Sequence, residues 1–400
     1  MTIPLAPGPP VAPERPPLLS WLAVLSVTLG IFAIVTTEIL PIGLLTSIGA
    51  DFTVSDGVAG LMMTMPGLLA AVSAPLVTAL TGGVDRRAML AVFILLLAAA
   101  NIMTALASSY WPVLLARVMV GVTIGGFWSI GAGLAGRLVP AARTARATAV
   151  IFSAVPLGSV LGVPLGTLVG DAAGWRTAFA ALAVLSLGVL VLLLAVVPPL
   201  PAEEPTRAGA LADALGGSGT RAALVLTFLV VFAHFAAYTY ITPFLEQVTG
   251  AGPGLVTVHL LAYGAAGVAG NFLGGAAAAR RPGAAFAGAA LLIAAATLLL
   301  PVLGGGAAGS LALLVLWGAA YGAVPVCSQT LFARAVPGSP EVSAVLFTAS
   351  FQATLSLGAL AGGAVVDRSS PPAVMVLAGA VALLAVAAVL LRRLGRAGRT

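Results

Sequence analysis

Glu38 and Arg117 are the residues whose types could do chemistry first, a carboxylate and a guanidinium each set inside a long apolar run. An ionisable side chain at membrane depth is costly and marks a proton or substrate pathway. Trp21 suits an interfacial anchor, and Glu38 lies 17 residues after it, about 25 Å along a helix. Arg117 follows Pro112 by five residues at the start of a run in the opposite direction, about 7–8 Å in. The two therefore reach similar depth and meet if their helices are neighbours. Burial opposes the charge on Glu38 and a nearby cation favours it, so the carboxyl is poised to gain or lose a proton as its surroundings change. The same pair could serve as a static tie inside a helix bundle.

A second set of polar and aromatic residues falls near the middle of apolar runs: Asn101, Phe127, Trp128, His234, Tyr238, Tyr240, Tyr321, Gln329 and Gln352. His234 and Tyr238, four residues apart, share one helix face. Flat rings with amide and imidazole groups suit a planar, hydrogen-bonding ligand such as a purine. Each taken alone is as readily explained by helix packing or interhelical hydrogen bonding. His234 is also a candidate for a proton path.

Other chemistries lack their residues. There is no lysine, so no phosphate-binding G-x-x-x-x-G-K-[ST] loop, and ATP is not expected as a direct energy source. His234 and His259 are too far apart in sequence for a two-histidine zinc pair, and no metal is expected. Cys327 is the one cysteine, which rules out an intramolecular disulfide. No cofactor is expected, and a proton gradient is the candidate driving force.

The elements that must position these groups are helices in a bilayer. Of the 400 residues 60% are hydrophobic and only 8% charged, with a mean hydropathy of +1.14. Apolar runs of about twenty residues recur, each long enough to cross a ~30 Å hydrocarbon core. Backbone groups in lipid must be satisfied within the segment, so the runs read as helices. Twelve are expected, near 18–48, 57–80, 88–108, 112–138, 147–170, 175–197, 222–247, 255–278, 284–303, 309–333, 342–366 and 373–392. All 18 basic residues are arginines, and nearly all fall in loops on one side, which explains the pI of 10.4 without nucleic acid. By the positive-inside rule that side and both termini are cytoplasmic. The stretch 1–17 lacks the basic n-region of a signal peptide and reads as a cytoplasmic tail.

Residues 198–221 form the one long polar loop and divide the chain into bundles of six spans over 18–197 and 222–392, with a tail over 393–400. The halves repeat at offsets of about 200 residues. Thr37-Glu38-Ile39-Leu40-Pro41 matches Thr239-Tyr240-Ile241-Thr242-Pro243. Gly121 and Gly125 match Gly318 and Gly322, and Gly162, Gly166 and Asp171 match Gly358, Gly362 and Asp367. Parallel repeats of six spans are a transporter architecture with the binding site near the midplane between halves. The expected fold class is thus an all-α membrane protein of twelve transmembrane helices in two pseudo-symmetric six-helix bundles.

Over residues 18–392 the chain resembles the major facilitator superfamily, in its twelve-span drug:proton antiporter branch. The resemblance rests on Gly82-Gly83-Val84-Asp85-Arg86-Arg87, on Arg117-xxx-Gly121-xxx-Gly125, and on Gly158-xxx-Gly162-Val163-Pro164-Leu165-Gly166 followed by Gly174-Trp175-Arg176. Thr81 stands where the loop signature has its first glycine, and Ala88-Met89 where it has Gly-Arg. Thr37-Glu38-Ile39-Leu40-Pro41 and Gly125-Gly126-Phe127-Trp128 are most similar to the purine-ribonucleoside exporters, and sugar and amphenicol exporters share much of the first motif.

The resemblance implies the MFS fold and proton-coupled export by alternating access, from a bacterial inner membrane, by a functional monomer without enzymatic activity. It implies proton coupling at Glu38 and Arg117, a gating loop at Asp85 and Arg86, and an antiporter motif of Gly121, Gly125, Gly158, Gly162, Pro164 and Gly166. Pro156, Pro164 and Pro325 are the expected kink points. Purine nucleosides lead the candidate substrates, ahead of amphenicol-type drugs or sugars. Uptake symport, and a non-transporting receptor, remain the alternatives from other classes.

Overall fold

A computed structural model describes residues 16–81, 83–131, 134–201, 213–337 and 339–397. Residues 1–15 of the expected N-terminal tail, 202–212 of the expected central loop and 398–400 of the expected C-terminal tail, with Arg15, Arg207 and Arg399 among them, therefore lie outside the described residues. Twelve helices among them are long and apolar enough to cross a membrane. We number these α1 (Pro17–Ile39), α2 (Asp56–Val77), α3 (Arg86–Ala105), α4 (Tyr110–Ile130), α5 (Ala141–Ala173) and α6 (Trp175–Val196) in the first half. The second half holds α7 (Ser218–Tyr238), α8 (Pro253–Arg280), α9 (Pro282–Leu303), α10 (Ala307–Ala335), α11 (Val342–Arg368) and α12 (Pro371–Leu391).

Burial runs opposite to that of a water-soluble protein. Phe272, Leu273, Val302, Val191 and Trp111 stand about 70–80% exposed, while Glu38 and Arg117 are buried. Apolar side chains can face outward over this extent only toward lipid.

The helices meet through the glycines of the repeat. A Cβ on Gly121 or Gly125 would run into Pro66, Leu69 and Ala70 of α2. Their counterparts Gly318 and Gly322 bear in the same way on the Tyr263 and Gly267 backbone of α8. Gly162 and Gly166 of α5 lie against Thr36 and Leu40, and Gly358 and Gly362 of α11 against Phe232 and Ala236 of α7. Small residues let backbones approach closely where no hydrophobic force drives association. The matching contacts make the two bundles structural repeats, as the spacing of these glycines predicts.

Proline sets the interruptions. α1 stops at Ile39 and a new helix, Pro41–Phe52, continues nearly in line. In the second half α7 stops at Tyr238 and resumes as Ile241–Gln247, with Pro243 at the same point of the repeat. α5 widens into a π-helical turn over Gly158–Gly162 just before Pro164. Such a turn accommodates a ring that cannot donate to the carbonyl one turn back. Pro156 and Pro325 are carried inside continuous helix.

Candidate functional site

The break at Pro41 creates the first element of the site. Proline has no N–H for the carbonyl four residues earlier, which is Thr37. Arg117 of α4 fills that role, its Nη1 donating to the Thr37 carbonyl at 2.7 Å. The sequence expectation that α1 and α4 bring Glu38 and Arg117 to one level therefore has a structural counterpart, but of a different kind. Among the described residues the two do not form an ion pair; the guanidinium grips the backbone one residue before the carboxylate.

Arg117 is 0% exposed, stacks over the Phe179 ring at 5.2 Å, and leaves its Nε and Nη2 without partners. A buried cation so poorly satisfied is expensive unless an anion compensates it. Glu38 directly follows Thr37, whose carbonyl the guanidinium holds.

Glu38 is 7% exposed and reaches across to the second half, where Gln352 of α11 donates its Nε2 to Oε1 at 3.0 Å. Asn101 of α3 donates to the Thr37 hydroxyl at 3.1 Å. Around this centre buried polar atoms lack partners: Thr36 Oγ1, Asn101 Oδ1, Gln352 Oε1 and Ser356 Oγ, besides the two guanidinium nitrogens. Buried polar groups are otherwise nearly always hydrogen-bonded. Their concentration here marks a polar focus in an apolar body.

The second half supplies rings instead of charges. Tyr238 and His234 of α7 and Tyr321 of α10 form a column of near-parallel rings, with successive centroids 5.0 and 3.3 Å apart. Tyr263 of α8 lies beside it, 4.3 Å from Tyr238 and 6.2 Å from His234. Trp317 stands edge-on to His234 and donates its indole N–H to Nδ1 at 3.1 Å. Phe235 meets Tyr321 edge-on and leads to Phe351 and Phe347. Trp317 and Tyr263 were not singled out by sequence reading, since an aromatic residue in an apolar run carries no signal of its neighbours.

The remaining predicted residues are more dispersed. Tyr240, the repeat counterpart of Glu38, is fully buried, donates its hydroxyl to the Ala359 carbonyl at 2.8 Å, and fits against Gly60, Gly362 and Gly363. Phe127 is buried in the first-half core beside Gly30, while Trp128 pairs with Phe152 at 6.0 Å. Gln329 is exposed on α10. Asp85 caps α3, one oxygen accepting from the Arg87 and Ala88 amides and the other from Leu200 at the end of α6. Arg86 donates to Thr81, so no partner named for this loop lies in the second half.

Hydrogen bonds between the halves gather at the end opposite the arginine-rich loops. Asp367 accepts from the Ser55 hydroxyl at 2.7 Å and the Gly57 amide at 2.9 Å. Thr242 donates to the Ile42 carbonyl, Thr46 to Glu246, and Gln247 to Asp56. Nearer the middle, Thr257 of α8 donates to Thr167 of α5. The carboxylates Asp56, Glu246 and Asp367 accept most of these bonds from neutral donors, and sequence reading had given them no part in holding the halves together. A cavity of about 630 Å³ lies at the other end, among Leu226, Arg281, Leu331 and Arg334, away from Glu38.

Two repeated bundles, helices broken at membrane depth, and a polar focus shared between halves define a secondary-transporter body. A family model described as Major Facilitator Superfamily matches residues 27–346, and the chain belongs to that superfamily. It is a transporter and not an enzyme. The chain is 32% identical over 365 residues to the purine ribonucleoside efflux pump NepI of Salmonella paratyphi A, covering 91% of this chain and 92% of that one. NepI of Salmonella typhimurium gives the same identity and coverage. Among solved structures, a bacterial homolog of the human lysosomal transporter Spinster in an inward-facing, occupied conformation superposes with a TM-score of 0.77. The match covers 94% of this chain and 97% of that one at 16% identity. The human organic anion transporter MFSD10 gives 0.66 at 18% identity, covering 94% of this chain and all of that one.

Proposed function

We propose that this transporter exports small molecules, purine nucleosides or their analogues first, in exchange for protons across a bacterial inner membrane. The observation that carries the reading is the link from Gln352 to Glu38, at the helix break that Arg117 also grips. One titratable carboxyl thereby touches both halves, and its protonation changes how they hold each other. With the arginine-rich loops cytoplasmic, the bonded end faces outward and the protein is closed to the outside. Closing water away from Glu38 costs less when the carboxyl is neutral, so a proton taken up from outside favours this closed state. Substrate then enters from the cytoplasmic side, and proton release there completes the exchange. Glu38 and Arg117 are the coupling pair, and Asp85 and Arg86 form the loop that engages the second half in the opposite state.

The substrate class rests on the 32% identity to purine ribonucleoside efflux pumps across nine-tenths of the chain and on the ring column of the second half. A monomer holds both halves and is sufficient for the cycle. The test is uptake of radiolabelled inosine into proteoliposomes with an imposed pH gradient. Wild type should accumulate inosine, and Glu38→Gln should bind it without accumulating it. Undiminished gradient-driven accumulation by Glu38→Gln would sink the coupling role.

A further inference from the structure

His234 appears in the sequence as a ligand or proton carrier, yet its contacts assign both ring nitrogens. An indole nitrogen can only donate, so Nδ1, which receives the Trp317 N–H at 3.1 Å, carries no proton. The ring hydrogen is then on Nε2, which faces the Tyr263 hydroxyl at 3.4 Å. A second proton on Nδ1 would set N–H against N–H. The groups packed on the imidazole are Tyr238 and Phe235 of its own helix, Tyr263 of α8, and Trp317 and Tyr321 of α10. None of them is a carboxylate or a cation that could hold an imidazolium.

The column also has a buried end and a less buried one. His234, Tyr238, Tyr263 and Trp317 are each less than 8% exposed, whereas Tyr321 is half-buried. One face of Tyr321 lies flat on His234, with an interplanar angle of 8°. Phe235 meets it edge-on at 88°, and no other ring covers it among the described residues.

We propose that Tyr321 offers its face away from His234 as the stacking platform for a flat heteroaromatic ring of the substrate, and that His234 is its positioning residue, locked as the neutral Nε2–H tautomer by Trp317. The inference rests on the transporter reading above and specifies where the ring binds. Four side chains from three helices, His234 and Tyr238 of α7, Tyr263 of α8 and Trp317 of α10, back the platform, so it is rigid before substrate arrives and little ordering is lost on binding.

The tautomer is read without any substrate. His234 and His259 are the two histidines of the chain, so ¹⁵N-histidine spectra of the full protein in nanodiscs contain two imidazoles, assigned with His259→Asn. From pH 5.5 to 8.5 (a window spanning about one unit or more on either side of the ordinary histidine value), His234 should remain a single Nε2–H tautomer. Trp317→Phe should release it to titrate. A wild-type His234 that titrates in this window, or that holds its proton on Nδ1, overturns the assignment, and this wild-type result stands even where the Trp317 variant does not fold.

The platform is read by equilibrium binding of inosine and adenine, with arabinose as a control that has no aromatic ring. Base–aromatic stacking contributes enough that Tyr321→Leu should weaken both flat probes by about ten-fold or more. Tyr321→Phe should bind them nearly as well as wild type, and arabinose should not distinguish the variants. Equal affinity in Tyr321→Leu, or no binding of either flat probe by wild type, overturns the platform. Wild type that binds flat rings but does not move them against a proton gradient refutes the coupling reading and leaves the platform standing.

Discussion

Gln352 donates its side-chain N–H to Glu38 at 3.0 Å, joining the second half of the molecule to the helix break of the first. Both residues are less than 8% exposed. Close by, the Gly67 backbone of α2 lies against the Gln352 backbone of α11. The halves thus touch through small backbone surfaces and one amide–carboxyl contact at the same level. Loss of the amide should free the halves to separate.

Gln352→Ala is expected to shift the population toward a state opened at the end away from the arginine-rich loops. Spin labels at exposed Thr53 and Ser369, in a Cys327→Ser background, would report a longer distance in the variant. An unchanged distance distribution would mean that the Gln352–Glu38 contact does not hold the halves together.

Asp367 should act in the same direction from the surface. Asp367→Ala removes the acceptor for both Ser55 and Gly57, and the same label pair should broaden. Asp367→Asn keeps one carbonyl oxygen and should fall between Ala and wild type.

The grip of Arg117 on Thr37 exists because Pro41 withholds an N–H. Arg117→Met should destabilise the protein, since it strands a buried carbonyl at a cost of about 1–3 kcal/mol. Pro41→Ala supplies the missing donor, so the double variant should be less destabilised than the sum of the singles. A coupling of about 0.5–3 kcal/mol in the double-mutant cycle is the expected size, read from reversible unfolding in detergent. Strict additivity would show that the carbonyl does not depend on Arg117.

Gly322→Val should lower stability by about 1–3 kcal/mol or prevent assembly, because its side chain would enter the Gly267 backbone of α8. Gly288→Val, at a glycine with open space around the built Cβ, is the control and should be close to neutral. Thermal unfolding of the two variants decides it.

Asp85 is a helix cap as well as a candidate gate. Asp85→Ala should cost about 0.5–2 kcal/mol through the lost cap, while Asp85→Asn should retain most of that stability because its amide oxygen still accepts. Transport by Asp85→Asn then isolates the charge: near-normal flux would assign the residue to capping, and slow flux at normal stability would assign it to gating.

The membrane body, the twelve spans, the repeat and the burial of Glu38 and Arg117 at one level were legible in the sequence, because they depend on local hydropathy and on residue spacing along one helix. Glycine spacing likewise announced the close contacts of α4, α5, α10 and α11, since a backbone can approach only where a side chain is missing. The partners were decided by the tertiary structure. That Arg117 takes the Thr37 carbonyl, that Gln352 and not Arg117 bonds Glu38, and that Tyr240 is packed away while Tyr263 and Trp317 flank the ring column all depend on helix rotation and on depth across the bundle. Hydropathy says that a helix is buried in lipid. It does not say which of its faces meets which neighbour, because in an apolar bilayer most faces read alike and only the fit of one backbone against another separates them.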